Sequence, residues 1–225
     1  MSIRKVLIVA AHPDDEVLGC GGTIARHIAE GDSVSILFLS TGVGSREMGQ
    51  DSNEEALRKK SKDTALGILG IKKHYQCEFP DNQFDKVCLL EIVKEIEKVI
   101  SVEKPNLIYT HFGGDLNIDH RVTYQAVVTA SRPVPGGSVE EVLSFEILSS
   151  TDWTFGEQRF LPNVFIDISL YKENKMMALK AYEQEMRDHP HSRSLVNVNN
   201  LMLVRGSAVG VAAAEAFQLV RKIKY

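Results

Sequence analysis

Cysteine is scarce in this chain. Cys20, Cys77 and Cys88 are the only three, an odd number with no C-x-x-C spacing, which argues against a disulfide framework and for a reduced, cytoplasmic setting. No basic run stands out, and 26 Lys and Arg against 30 Asp and Glu leave a net charge of −4, so no nucleic-acid partner is expected. No apolar stretch approaches the roughly 20 residues of a membrane span, and the first residues enter an apolar strand without a charged-then-apolar leader. Repeats and low-complexity tracts are also missing. What remains is ordinary for a globular chain: 225 residues, 44% hydrophobic and 25% charged, expected to form one domain over residues 1–225 with a substantial core.

The densest chemistry lies in Ala10-Ala-His-Pro-Asp-Asp-Glu-Val-Leu-Gly-Cys-Gly-Gly22. Before it, Lys5 to Ala11 reads as a buried strand; after it, Thr23 to Glu30 reads as a helix stopped by Gly31. A strand-to-helix turn in an open α/β sheet is where such folds place ligands. His12 and Asp15, three residues apart on a tight turn, can face one point, and zinc accepts both donor types. Pro13 biases His12 toward an extended backbone, and Asp14 stands beside the ion as a base. Taken singly, Asp14, Asp15 or Glu16 could merely cap the following helix and complement its dipole. That reading does not explain the set. Gly19, Gly21 and Gly22 hint at a dinucleotide fingerprint, but Ile24 stands where the third glycine belongs. The glycines read better as positions of close packing.

Strand and helix signals then alternate. Ser33 to Ser40, Lys73 to Phe79 and Asn106 to Thr110 read as strands. Asp51 to Leu69, Val87 to Val102 and Asp119 to Ser131 read as helices. This β-α-β-α order implies an α/β, Rossmann-like, mostly parallel sheet flanked by helices. Each polar cluster follows a strand: His12 to Glu16, Thr41-Gly42, Asp81-Asn82 and His111 to His120. A parallel sheet brings all four to one rim. Beyond Gly137 a strand and helix extension is expected, with strands at Val142 to Leu148 and Val164 to Ile168. Helices are expected at Leu170 to Arg187 and Ala208 to Lys222. Trp153, in the loop between those strands, reads more readily as core than as a ligand platform.

The second dense stretch is Thr110-His-Phe-Gly-Gly-Asp-Leu-Asn-Ile-Asp-His120. His120 opens a helix. Alone it would be a polar cap, but with His12 and Asp15 it completes two imidazoles and a carboxylate, leaving a fourth position for water.

The Ala-His-Pro-Asp-Asp-Glu-Val-Leu-Gly-Cys-Gly-Gly motif resembles the first signature of the PIG-L/LmbE family of zinc-dependent N-deacetylases, which act on N-acetylglucosamine-type conjugates. Asn117-Ile-Asp-His120 resembles the family's second metal motif, His-x-Asp-His, with Asn117 in place of the first histidine. The resemblance implies His12, Asp15 and His120 as ligands of Zn²⁺, or of another divalent ion such as Fe²⁺. It implies Asp14 as general base and Asp119 as the carboxylate partner of the motif's first position. The oxyanion-stabilising role of that position falls to Asn117, whose amide donates but cannot carry a proton, or to His111, with His189 as a remote substitute. Arg58 resembles an arginine supporting the rim, with Arg46 as rival. Asp81 matches a substrate-side loop, as a partner for a sugar hydroxyl. Lys175, Tyr182 and Ala214 to Phe217 resemble the family's C-terminal helices, and Arg193 is placed to reach an anionic substrate group. A homo-oligomer is implied as well.

The expected reaction is metal-dependent removal of acetate from an N-acetylated amino-sugar conjugate, the small-molecule partner of this chain. A phosphoesterase would want a second metal cluster or phosphate-binding Lys and Arg, of which the sequence offers no obvious set on the rim. A mere metal- or sugar-binding module would not need Asp14, and a nucleotide oxidoreductase would need the complete glycine fingerprint.

Overall fold

The computed structural model describes residues 3–43, 52–156 and 158–224. A seven-stranded sheet runs through it. In chain order its strands are β1 (Lys5–Ala10), β2 (Ser33–Phe38), β3 (His74–Gln76), β4 (Leu107–His111), β5 (Glu141–Phe145), β6 (Val164–Asp167) and β7 (Ala214–Lys222). The spatial order is β3-β2-β1-β4-β5-β7-β6; the first five strands pair in parallel, and β7 lies antiparallel between β5 and β6. The helices are α1 (Asp15–Ala29), α2 (Ser52–Leu69), α3 (Leu89–Glu103), α4 (Ile118–Ala130), α5 (Lys172–Ala181) and α6 (Leu195–Ser207). The mostly parallel α/β sheet expected from the alternating pattern is therefore present.

Side-chain alternation along β1 explains why its sequence is apolar throughout. Val6, Ile8 and Ala10 join the core under α1, α2 and α5, while Leu7, Val9 and Ala11 join the core under α3 and α4. The neighbours of β1 are β2 on one side and β4 on the other, so the chain winds away from β1 in both directions. The carboxyl ends of β1 and β4 form the switch-point crevice of such a sheet. They bring the His12 turn beside the 111–120 loop.

Helix α1 begins at Asp15, eight residues before the expected start at Thr23, and it is interrupted at Cys20, whose φ of −149° is not helical. Glu215 of β7 accepts the amides of Gly22 (3.1 Å) and Thr23 (2.7 Å), capping the second segment. Lys175 of α5 donates to the Leu18 carbonyl at 2.7 Å, closing the first, and pairs with Glu215 at 2.6 Å. One buried ion pair thus satisfies both broken ends. Close packing also accounts for the glycines: a Cβ on Gly19 would stand 2.4 Å from Phe145, and one on Gly22 2.7 Å from Ile168.

The C-terminal expectations need correction. Ala208 to Lys222 is not helical; residues 214–222 are β7. Ala and Glu favour helix locally, but Glu215, Phe217 and Leu219 share one sheet face, and Phe217 and Leu219 pack into the α1-side core. Helix α6 went unread in the sequence, and α5 ends at Ala181 instead of running on to Arg187. Among the described residues no helix is long and apolar enough to cross a membrane.

Candidate active site

The turn after β1 is held from several sides. Arg58 donates to the Pro13 carbonyl (3.4 Å) and to the Gly42 carbonyl (3.1 Å), and pairs with Glu185 at 2.7 Å. Asp14 sits at φ 116°, a backbone region that non-glycine residues rarely occupy, so its position is strained. Its amide donates to Glu16 Oε2 (2.9 Å), and Tyr182 donates to Glu16 Oε1 (2.8 Å). Burial pushes the Glu16 carboxyl up to about 8, against the pull of Tyr182 and the Asp14 amide. Asp14 occupies the N-cap of α1, yet its side chain makes no capping bond. Its Oδ2 instead accepts from Arg193 Nη1 at 3.0 Å. The helix-capping explanation of the acidic run therefore fails for Asp14.

His12, Asp15 and His120 each offer a donor atom, and the three atoms lie within 4.8 Å of one another. His12 Nδ1 is 3.2 Å from Asp15 Oδ2, and His120 Nε2 is 3.4 Å from Asp15 Oδ1. The far ring nitrogens are both held by carboxylates. His12 Nε2 faces Asp119 Oδ2 at 2.9 Å, and His120 Nδ1 faces Asp115 Oδ1 at 3.1 Å. Such carboxylate partners fix the tautomer that turns a lone pair toward a metal. The donor set fits a divalent ion of the zinc type, with three protein ligands and room for a fourth. His12, Asp81 and Asp119 form a second candidate grouping. There the Asp119 oxygens already accept the amides of Asn82 (2.7 Å) and Phe84 (2.9 Å) as well as His12, which favours the first set.

The electrostatics agree with this geometry. Burial alone would lower the His120 pKa, but Asp15 and Asp115 carry it up to about 9. Burial opposes ionisation of Asp15, yet His120 and His111 hold it well below the usual carboxylate range. Asp14 is pushed up to about 6 by burial, with Arg193 pulling down and Asp15 pushing up. Burial also opposes ionisation of Asp115, but His120, Ser150 and Thr151 bring it down to about 2. The pull that keeps a proton on His120 would equally favour a cation.

A cavity of about 290 Å³ opens over this cluster. Its floor is His12, Asp14, Asp15 and His120. Asp81, Asn82 and Asn117 form one wall; Arg58, Glu185 and Arg193 form part of the other, continued by the half-buried His191, with the exposed Trp153 and Arg187 at the mouth. Nine of the ten site residues expected from the sequence are thus at the cavity or, in the case of Asp119, directly behind His12. His111 is not. It is fully buried, stacks on His120 with ring centroids 3.9 Å apart, and its Nε2 accepts the Ala11 amide at 2.9 Å. It backs His120 and cannot serve a cavity oxyanion. Asp119 partners His12, not the position of Asn117. Asn117 is the N-cap of α4: its Oδ1 accepts the Asp119 amide at 2.8 Å, which turns Nδ2 toward Asn82 (3.3 Å) on the cavity wall. Asp81 Oδ1 is 3.1 Å from His12 Nε2. Arg193 meets Asp14 within the protein itself. His189 does not line the cavity, Trp153 does, and Arg46 lies outside the described residues.

Four contributors went unread in the sequence: Asp115, Glu185, Arg187 and His191. Asp115 stands in the quoted 110–120 stretch, after a glycine pair, but its link to His120 is made in space. His191 accepts the Arg193 amide at Nδ1 (3.0 Å), so its Nε2 carries the proton and is a donor. Neither His191 nor Arg187 sits next to a recognisable strand end.

Comparison with known proteins agrees with this picture. The chain is 29% identical over 186 residues to the uncharacterized deacetylase YaiS of Escherichia coli (strain K12), covering 80% of this chain and 91% of that one. It is 27% identical over 229 residues to the diacetylchitobiose deacetylase of Thermococcus kodakarensis, covering 97% and 84%. The solved N,N'-diacetylchitobiose deacetylase of Pyrococcus horikoshii, in complex with its inhibitor MPG, superposes with a TM-score of 0.77 at 22% identity, covering 97% and 84%, and so shares the fold. Residues 7–131, more than half of the chain and including His12, Asp14, Asp15 and His120, match the family model PIG-L: GlcNAc-PI de-N-acetylase, and the chain belongs to that family.

Proposed function

We propose that this protein is a zinc-dependent N-deacetylase that hydrolyses the N-acetyl group of an amino-sugar conjugate, releasing acetate and a free amine. The observation that carries the reading is the convergence of His12, Asp15 and His120 with Asp14 beside them at the bottom of one cavity. A zinc ion bound by those three residues would polarise the acetamide carbonyl and lower the pKa of a water toward about 7. Asp14 lines the cavity with Oδ2 anchored by Arg193, which leaves Oδ1, without a hydrogen-bond partner among the described residues, for the reaction. Asp14 takes a proton from the attacking water as the C–O bond forms, then returns it to the nitrogen as the C–N bond breaks. Asn117 Nδ2 and His191 Nε2–H are the donors available to the carbonyl oxygen as charge develops on it. Asp81 and Asn82 are positioned to accept and donate to ring hydroxyls. Arg58 fixes the turn through the Pro13 carbonyl and so acts as a positioning residue.

Amine release from a panel of N-acetylglucosamine derivatives tests this, with metal content measured beside activity so that zinc and Fe²⁺ are told apart. Asp14→Asn is expected to keep the metal and lose turnover by about 10²-fold or more. His120→Ala is expected to lose both. Turnover surviving in Asp14→Asn would remove the base assignment, and a metal-loaded protein silent on the whole panel would overturn the reading. A cytoplasmic homo-oligomer is part of the same proposal, and light scattering of the purified protein reads its oligomeric state.

A further inference from the structure

Among the described residues the cavity holds three guanidinium groups, and two are already neutralised by the protein. Arg58 pairs with Glu185 at 2.7 Å and Arg193 with Asp14 at 3.0 Å. Arg187 makes no ion pair among the described residues. Its Nη1 donates to the carbonyls of Gln184 (2.6 Å) and Met186 (2.9 Å), which folds the side chain back over its own turn. Its amide donates to the Arg193 carbonyl at 3.0 Å, tying it to the wall that reaches Asp14. Nε and Nη2 are left without a protein partner among the described residues, at the mouth of the cavity. A guanidinium held in this way presents a fork that matches a carboxylate or phosphate. The neighbouring Trp153 and His191 rings, 5.3 Å apart, line the same stretch of wall and bring no negative charge.

We infer that Arg187 is a specificity-determining residue and that the substrate carries an anionic group, phosphate or carboxylate, outside the reacting N-acetylhexosamine ring. This rests on the deacetylase reading above and narrows its substrate class. The anion expected from the sequence at Arg193 is moved to Arg187, because Arg193 is occupied by Asp14.

The test compares kcat/KM of the zinc-loaded protein for N-acetylglucosamine 1-phosphate, N-acetylglucosaminyl malate and neutral N,N'-diacetylchitobiose, with Arg187→Gln and Arg187→Lys beside the native chain. The anionic substrates are expected to lead, phosphate and carboxylate arms showing which group is preferred. In Arg187→Gln the anionic-to-neutral ratio is expected to fall about ten- to a hundredfold, mainly through KM. Arg187→Lys should retain part of the preference, and the preference should shrink as salt rises. A leading neutral disaccharide, or an equal loss on all three substrates in Arg187→Gln, would overturn the inference while leaving the deacetylase reading intact. Calorimetric binding of N-acetylglucosamine 1-phosphate against methyl N-acetylglucosaminide decides the matter even without turnover. Tighter binding of the phosphate that disappears in Arg187→Gln supports the role of Arg187, and equal binding of the two ligands refutes it.

Discussion

Replacing Asp115 by Asn should weaken metal binding without disturbing the fold. Asp115 is buried, and Ser150, Thr151 (2.5 Å) and the Asn117 amide (2.9 Å) all donate to it beside the His120 contact at 3.1 Å. The substitution is nearly isosteric, and the two hydroxyls can rotate to meet an amide. What is lost is the charge on the group that orients His120. A hydrogen bond to a charged group contributes about 1.5–3 kcal/mol and a neutral one about 0.5–1.5 kcal/mol, so the difference is about 1–1.5 kcal/mol. That corresponds to about tenfold in affinity, the lower end of the 10- to 100-fold range typical for such carboxylate partners. Competition with a chromophoric zinc chelator measures the constant, and thermal melts of the metal-free proteins check the fold. An affinity within about twofold of the native value, at unchanged melting temperature, would show that Asp115 does not orient a metal-binding His120.

Two further outcomes test the frame around the site. Lys175→Met leaves the Glu215 carboxylate buried with only the Gly22 and Thr23 amides as partners, and should cost about 3 kcal/mol in urea unfolding; a loss below about 1 kcal/mol would mean that the pair does not splice α1 as described. His27 lies between Asp32 (2.7 Å) and the Tyr109 hydroxyl (3.0 Å), and burial outweighs Asp32 in holding its pKa below 6.5. The folded protein therefore keeps it neutral while the unfolded chain gains a proton below about 6.5, so its contribution to stability falls as pH drops through that value. Native protein and His27→Asn should converge in melting temperature between about pH 7.5 and about pH 5.5, and parallel profiles would refute the assignment.

What could be read from the sequence follows the range of the signals. Strands β1, β2 and β4 are short apolar runs ended by polar turns, and their parallel order follows from the helices between them, so the rim and its four loops were legible. The start of α1 was not, because Gly19, Cys20, Gly21 and Gly22 read as loop, and only the distant Lys175–Glu215 pair makes a broken helix stable there. Strand β7 was misread for a related reason: alanine and glutamate favour helix locally, and the partners that override this preference, β5 and β6, are supplied by the fold. His111 was overrated because it reads as following a strand, as His12 does, whereas it is the last paired residue of β4 and points behind the site.

The same division separates chemistry from specificity. His12, Asp14, Asp15 and His120 come from the turn after β1 and the starts of α1 and α4, within residues 7–131, where the family match lies and where local motifs are strongest. Trp153, Glu185, Arg187, His191 and Arg193 all lie after it, on loops whose mutual contacts are tertiary: Ser149 with Ser192 and with Arg193, and Trp153 with His191. This later part does more than wall the cavity. Through Arg193 it grips Asp14, a strained residue beside His12, Asp15 and His120, so under the proposed mechanism the loops that line the cavity also aim the base. A change in those loops that suits a new substrate must leave the Arg193–Asp14 contact in place. Arg187 has no such duty: among the described residues its side chain bonds only the carbonyls of its own turn, so under the proposed mechanism it is the position where charge preference can change while Asp14 stays aimed.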